Sequence, residues 1–257
     1  MRGEPFSFGT KEKGSPRVFP AAEGGMVLSY YPVLLDVRGR EVLVIGGGPV
    51  AARKVGGLLA AGAVVRLVAP ELCAAAVELA LGPGVGYHAR GFEASDLDGV
   101  VLVFCASGDS AVNARAAELA RSRGIFVNVV DAPEAGDMIV PAHFRRGELL
   151  VAVATGGASP ALSRRLRQRL EVEFGPEWGP LLRLLAAARR AVLAGGGDGA
   201  DHRRVFYELV DSRLAEFLRA GDWAGVDGLL REALGLGLAD LGLGPDDLQP
   251  RPEDGRP

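Results

Sequence analysis

The sequence predicts an α/β protein built on a doubly wound parallel sheet, followed by a small second element and a helical C-terminal part. Short β-branched runs alternate with Ala/Leu-rich stretches of helical length, a glycine-rich turn joins the first run to the first such stretch, and this alternation ends near residue 130. The runs predicted as buried strands are 42–45, 64–68, 100–104 and 125–129. The stretches predicted as helices between them are 50–61, 71–81 and 110–123.

Length and composition limit the class of protein. The chain has 257 residues, of which 48% are hydrophobic and 24% charged, so it can bury a sizeable core. Because the net charge is -3, there is no overall positive field, and we expect neither a nucleic acid nor a membrane as partner. The two cysteines, Cys73 and Cys105, lie far apart without metal-ligand spacing, which favours a reducing cytoplasm.

Changes in composition divide the chain into five segments. The first 25 residues show no apolar periodicity and no hydrophobic signal region, so we expect a disordered extension there. The helix of the second element should begin at Ser159-Pro160, because Ser is a good N-cap and Pro suits the first helical position. The predicted segments are the extension 1–25, the sheet domain 26–137, the small element 138–175, the helical domain 176–240 and a flexible tail 241–257.

The glycine-rich turn directly follows the first predicted strand and opens the first predicted helix. It has the spacing G-x-G-x-x-A of a dinucleotide-binding turn in a Rossmann-type fold. In that pattern Gly46 permits the tight turn, Gly48 lets the backbone approach a pyrophosphate, and Ala51 allows close packing of helix against strand. The alternative is a turn that only joins strand to helix. The candidate cofactor-binding residues here are Gly46, Gly47, Gly48, Pro49, Val50 and Ala51.

The end of the second strand bears on the choice between NAD and NADP. A carboxylate that holds the adenosine ribose is expected there, and Pro70-Glu71 occupies the position, slightly late. The alternative for Glu71 is a carboxylate in the first turn of the next helix, stabilised by the helix dipole. Since the nearest arginine, Arg66, lies inside the strand, the sequence favours NAD as the cofactor.

Two loops after later strands carry polar side chains that could do chemistry. Ligands of open α/β sheets lie beyond the carboxyl ends of the strands, which is where Ser107, Asp109 and Asp131 are expected. Asp131 could orient a substrate or accept a proton, or it could form an Asx turn ahead of Pro133. Asp109 could contact the cofactor or cap the following helix. Both alternatives stay open at the level of sequence.

A second glycine turn, Thr155 to Pro160, enters the predicted helix of the small element. Its NH groups, together with arginines in the helix that follows, could hold a polycarboxylate; the alternative is a solvated basic helix face. The three histidines form no ligand-spaced cluster, and His143 is the strongest functional candidate among them because Arg145 and Arg146 adjoin it.

Several motifs in order resemble one known family. They are Tyr30-Tyr31-Pro32-Val33, the glycine turn with Arg53-Lys54 and Gly62-Ala63, Asn128 to Pro133, Ile139 to Ala142, Arg146-Gly147, and Thr155 to Leu162. Together they span about residues 29–170 and resemble the precorrin-2 dehydrogenase or siroheme synthase N-terminal family. The chain departs from the family pattern at Ser107-Gly108 and at Gly136-Asp137-Met138, which bears on the shape of the pocket.

The resemblance implies an NAD-dependent oxidation of precorrin-2 to sirohydrochlorin on the route to siroheme. Asp131 matches the aspartate regarded as catalytic in the family, and Thr155 matches a hydroxyl position that lines the site. Because the macrocycle carries eight carboxylates, it needs cationic and NH-rich walls. The candidate substrate-binding residues are Asn128, His143, Arg146, Thr155, Gly156 and Ser159.

The resemblance also implies partners. Family members are homodimers, and the element near 138–155 is the expected dimerisation region. Some members insert ferrous iron into sirohydrochlorin, and this sequence leaves open both that activity and the residues that would hold iron. The main rival function is a non-enzymatic NAD-sensing module that regulates a partner, for which Asp131 and Thr155 would be replaceable.

Overall fold

The central feature of the protein is a five-stranded parallel sheet. The computed structural model describes residues 30–195 and 199–251, so the predicted extension 1–25 lies outside the described residues, as does the side chain of His202. The strands are β1 (Glu41–Ile45), β2 (Val64–Val68), β3 (Val85–His88), β4 (Leu102–Cys105) and β5 (Phe126–Val129), in the spatial order β3-β2-β1-β4-β5. The order reverses between β1 and β4, and such a switch point opens a crevice at the carboxyl ends of the strands.

Helices cover both faces of the sheet, as a doubly wound fold requires. They are α1 (Pro49–Ala60), α2 (Ala74–Ala80) and α3 (Ser110–Ser122). Side chains alternate along each strand, so Val42 and Val44 pack on the face of α1, whereas Leu43 and Ile45 pack on the face of α3. The predicted Rossmann-type sheet is therefore confirmed.

The strand β3 was not predicted from the sequence. It has four residues, three of them exposed, and it lies at the edge of the sheet, so it lacks the apolar run by which a buried strand is recognised. The preceding helix also starts later than expected, at Ala74 instead of residue 71.

The small element is a β-hairpin with one helix. Strands β6 (Ala142–Arg146) and β7 (Leu149–Val153) pair antiparallel, and α4 (Pro160–Glu173) packs against both. The predicted start of α4 is confirmed: Ser159 is the N-cap, its side chain accepts a hydrogen bond from the backbone N–H of Leu162, and Pro160 is the first helical residue.

The C-terminal part is a helical unit with its own core. Its helices are α5 (Trp178–Ala194), α6 (Gly199–Val210), α7 (Leu214–Ala220) and α8 (Trp223–Leu234).

The prediction of a flexible tail after residue 241 is wrong for the residues there that the structure describes. Leu248 is 1% exposed in the helical core, and Arg183 donates to the backbone oxygens of Asp247 and Gln249. In the described part of the chain, no helix has the length and apolarity to cross a membrane.

Candidate functional site

The turn between β1 and α1 brings three loops close together. Gly46 has a φ of 121°, which favours glycine, and a Cβ there would overlap the carbonyl of Ala106 after β4. A Cβ on Gly47 would overlap the carbonyl of Glu71 after β2, and the Gly47 oxygen accepts a 2.8 Å hydrogen bond from the backbone N–H of Cys73. The first two glycines therefore let the loops after β2 and β4 close on the turn.

Gly48 has a different role from its neighbours. It is the N-cap of α1 in extended conformation, and a Cβ there would meet no protein atom within 4 Å. The first turn of α1 contains no acidic residue, and Pro49 at its start has no N–H to satisfy. The N–H groups of that turn and the positive end of the helix dipole therefore face open space suited to an anion. Ala51 is fully buried against the sheet, as its predicted packing role requires.

A cleft of about 360 Å³ lies over the carboxyl ends of β1, β2 and β4. The predicted cofactor residues that line it are Gly46, Gly47, Pro70, Glu71, Ser107 and Asp109. Gly91, Phe92 and Val112 also line the cleft, and the sequence did not predict them there. Phe92 follows β3, so its place at the cleft could not be predicted while that strand was missed. Val112 lies on the first turn of α3, where only the packing of helix against loop places it at the cleft.

The loop after β2 favours the nucleotide role of Glu71 over its alternative. Glu71 is exposed in the cleft and precedes α2, so it does not lie in the first turn of that helix. The guanidinium of Arg66 is occupied elsewhere: it pairs with Glu41 at 2.8 Å and donates to the backbone oxygens of Asp96 and Asp98. Arg66 is therefore not available to a 2′-phosphate.

The loop after β4 is held by its own side chains. Asp109 is the N-cap of α3 and accepts hydrogen bonds from the backbone N–H groups of Ala111 and Val112 at 2.9 and 3.3 Å. The Ser107 hydroxyl accepts from the backbone N–H of Asp109 at 2.9 Å. The capping alternative for Asp109 is thus confirmed, and the same residue also lines the cleft.

Asp131 lies just beyond β5, with its carboxylate exposed. Its Oδ1 accepts a 3.0 Å hydrogen bond from the side-chain Nδ2 of Asn113, a residue of α3. Among the described residues, no backbone N–H donates to this carboxylate, which argues against an Asx turn. Burial, and then the charge of Asp131, raise the pKa of Cys105 to about 12, so the thiol stays neutral and is not a nucleophile.

The other predicted substrate residues near the sheet and hairpin have internal partners. Asn128 is 6% exposed, and its Nδ2 donates to the backbone oxygen of Met138 at 3.0 Å, which fixes the segment after β5. The Thr155 hydroxyl donates to the Ser159 oxygen and accepts from the Ser159 N–H, so it closes the turn before α4. Gly156, with a φ of 60°, completes that turn.

Arg146 is not placed to bind a substrate, and this prediction needs correction. Its side chain is 8% exposed and donates to the backbone oxygens of Phe174, Glu171 and Arg145 at 2.9–3.0 Å. These carbonyls include the C-terminal end of α4, where the helix leaves acceptors without partners. The guanidinium therefore ties β6 to α4.

Replacing Arg146 by methionine should lower the free energy of unfolding by about 3 kcal/mol, because each buried carbonyl left without a donor costs about 1–3 kcal/mol. Urea denaturation of the wild type and the variant measures the difference. Arg145→Met is the matched control, since that neighbouring side chain is exposed. Equal stability of Arg146→Met and wild type would show that the interpretation of Arg146 is wrong.

The remaining basic groups lie on the surface of the small element. His143 is exposed, with Nδ1 3.0 Å from the Pro141 oxygen. Arg164 and Arg165 of α4 line a shallow depression of about 430 Å³, and neither has an ion pair among the described residues. Within the described ranges, no hydrogen bond or ion pair joins Asp131 to His143, Thr155 or Ser159.

Those ranges also contain no cluster of three His, Cys, Asp or Glu side chains that could hold a metal ion.

Two family models match the chain in succession. Residues 33–142 match a family described as putative NAD(P)-binding, and residues 146–173 match one described as sirohaem biosynthesis protein, central. The first match contains the cleft and Asp131. The second contains β7 and α4.

Similar proteins agree with these matches. A siroheme synthase of Methylococcus capsulatus is 40% identical over 206 residues, covering 80% of this chain and 44% of that protein. A siroheme synthase of Azotobacter vinelandii is 40% identical over 218 residues, covering 84% and 47%. The chain thus spans somewhat less than half the length of these relatives.

A solved structure extends the similarity to the fold. It is described as SirC, precorrin-2 dehydrogenase, and it aligns with a TM-score of 0.65 and 27% identity over 79% of this chain and 98% of its own. The glycine turn, the sheet order and both family matches lead to the same assignment. Over residues 33–173 the chain is thus similar to NAD(P)-binding proteins of sirohaem biosynthesis, among them siroheme synthases and a precorrin-2 dehydrogenase.

Proposed function

We propose that the chain is an NAD-dependent dehydrogenase that oxidises precorrin-2 to sirohydrochlorin in siroheme biosynthesis. One observation carries the proposal: the carboxylate of Asp131 is held by Asn113 beside the loop of Ser107, which lines the nucleotide cleft. A carboxylate at the mouth of a dinucleotide site is what an oxidation with proton release needs. The names of the relatives, siroheme synthase and precorrin-2 dehydrogenase, support the choice of substrate.

The residues present fit a dinucleotide. The open N-terminus of α1 suits the pyrophosphate, and Glu71 suits a ribose diol. NAD is preferred over NADP because Arg66 is engaged with Glu41 and two carbonyls. When bound, the nicotinamide accepts a hydride from the substrate.

The work of the protein in this reaction is positioning and proton transfer. Loss of a hydride and a proton from the macrocycle balances the oxidation. We propose that Asp131 receives this proton or orients the ring, and its exposure at the end of β5 supports that role. The fully buried residues beneath the cleft, such as Val68 and Ile45, keep water out of its floor. Among the described residues, the carboxylates that line the cleft itself are Glu71 and Asp109, and Asp109 is engaged as a helix cap. Asp131 lies next to this lining and is joined to it through Asn113 and Ser107.

We further propose that the small element forms a homodimer and that its basic surface contacts the substrate carboxylates. Val140 and Leu162 lie beside the hairpin and are 42% and 49% exposed, which leaves apolar surface for a second copy of the chain to cover. Arg164 and Arg165 supply cations that form no ion pair with any described residue. A cytoplasmic location remains a prediction from the cysteines.

The homodimer has a direct test. Sedimentation equilibrium of the purified chain, whose monomer mass is 26.8 kDa, should give twice that mass at micromolar concentration. Leu162→Glu should shift the population towards monomer, because a charge replaces an apolar contact. A monomer for the wild type over that range would contradict the homodimer and leave the dehydrogenase proposal intact.

The proposed function is tested by anaerobic incubation of the purified chain with precorrin-2 and NAD. NADH should form, and its formation should require both compounds. NAD binding without turnover would favour the NAD-sensing module instead, and Asp131 would then be replaceable without effect on binding.

A further inference from the structure

Asn113 is an unusual residue for its position. It lies inside α3, one turn after the N-cap Asp109, and it is 1% exposed. Asparagine is unfavourable inside a helix because its amide competes with the backbone, and a buried amide is costly unless its hydrogen bonds are made. The stability of α3 therefore does not account for asparagine here.

The amide of Asn113 makes all its hydrogen bonds to two loops at the strand ends. Its Oδ1 accepts from the backbone N–H of Ser107 at 3.2 Å. Its Nδ2 donates to the backbone oxygen of Ser107 and to Oδ1 of Asp131, both at 3.0 Å. One side chain thus joins the loop that lines the nucleotide cleft to the proposed catalytic carboxylate.

This bridge constrains a side chain that is otherwise free. Asp131 is exposed, and Asn113 is its only side-chain or backbone donor among the described residues. A carboxylate in water samples several rotamers, whereas one held by a buried amide keeps a fixed direction. The amide is neutral over the working pH range, so its N–H donates throughout.

We propose that Asn113 is a positioning residue that sets the distance and direction of the Asp131 carboxylate relative to the bound cofactor. The inference rests on the proposed dehydrogenase function. It assigns Asn113 two separable effects: through Ser107 it holds the nucleotide loop, and through Asp131 it orients the reacting group. The first effect appears in the affinity for NAD and the second in kcat.

A double-mutant cycle separates this role from a purely structural one. Asn113→Ala should lower kcat about tenfold in the otherwise wild-type chain, because misplacement of a catalytic group by about 1 Å can cost up to about 100-fold. In an Asp131→Ala background the same change should lower kcat less than about twofold, since no carboxylate remains to be oriented. The KM for NAD should rise by a similar factor in both backgrounds.

The control tests whether loss of stability in α3 explains the result. Ala116 lies in the same helix, is fully buried, and takes part in none of the hydrogen bonds of Asn113, so Ala116→Gly should lower the melting temperature and leave kcat unchanged. Equal losses of kcat from Asn113→Ala in the two backgrounds would overturn the inference alone. An inactive wild type would overturn the proposed function and the inference with it.

Discussion

Asp131→Asn should lower kcat by about 10²- to 10⁴-fold while the affinity for NAD stays unchanged, because general acid–base groups typically contribute that much to rate. Asparagine keeps the shape and one carbonyl oxygen. That oxygen can still accept the hydrogen bond that Asn113 now donates to Oδ1 of Asp131. The loop after β5 is therefore preserved, and the loss reports the charge and its capacity to take a proton.

The measurement combines anaerobic turnover with calorimetric titration of NAD and thermal unfolding of both proteins. Glu134→Gln is the matched control, since Glu134 is an exposed carboxylate three residues along the same loop. It should leave kcat unchanged. If Asp131→Asn retained more than about a third of wild-type turnover, far above the expected range, Asp131 would not be catalytic.

Gly48→Val should weaken NAD binding by at least about 100-fold. A Cβ at Gly48 meets no protein atom within 4 Å, and the extended conformation there is open to any residue, so the variant should fold. The added methyl groups project into the space before α1 where the pyrophosphate is expected. A steric cost of about 3 kcal/mol corresponds to a factor of about 100 in affinity.

Calorimetry of NAD binding measures this effect. Gly57→Ala in the same helix is the matched control, because its Cβ also enters open space and alanine favours the helix, so affinity should be retained. If Gly48→Val bound NAD with unchanged affinity, the glycine turn would not be part of the cofactor site.

Local patterns predicted the parts of the site that depend on neighbouring residues in the sequence. The turn at Gly46 follows from its spacing between a strand and a helix, and Asp131 follows from the end of an apolar run. Both lie at the carboxyl ends of strands, on the edge of the sheet that carries the cleft. The sheet itself was predictable because its buried strands are continuous apolar runs.

The sequence alone could not predict contacts between residues that are far apart along the chain. Asn113 is 18 positions from Asp131, and only the packing of α3 against β5 brings them together. Arg146 was misassigned for the same reason: the acceptor at Phe174 lies 28 positions away, and no sequence pattern shows that the guanidinium is already satisfied. The tail was predicted to be flexible because it is rich in Pro and Asp, and a single apolar residue, Leu248, gives no pattern that shows its burial in the helical core.

The most direct test of the central claim is the stoichiometry of an anaerobic reaction with precorrin-2 and NAD, followed by absorbance of both products. We expect one NADH for each sirohydrochlorin in the absence of added iron, and loss of both products in Asp131→Asn. Sirohydrochlorin formed without NADH, or NAD bound with neither product formed, would contradict the proposal that this chain is an NAD-dependent precorrin-2 dehydrogenase.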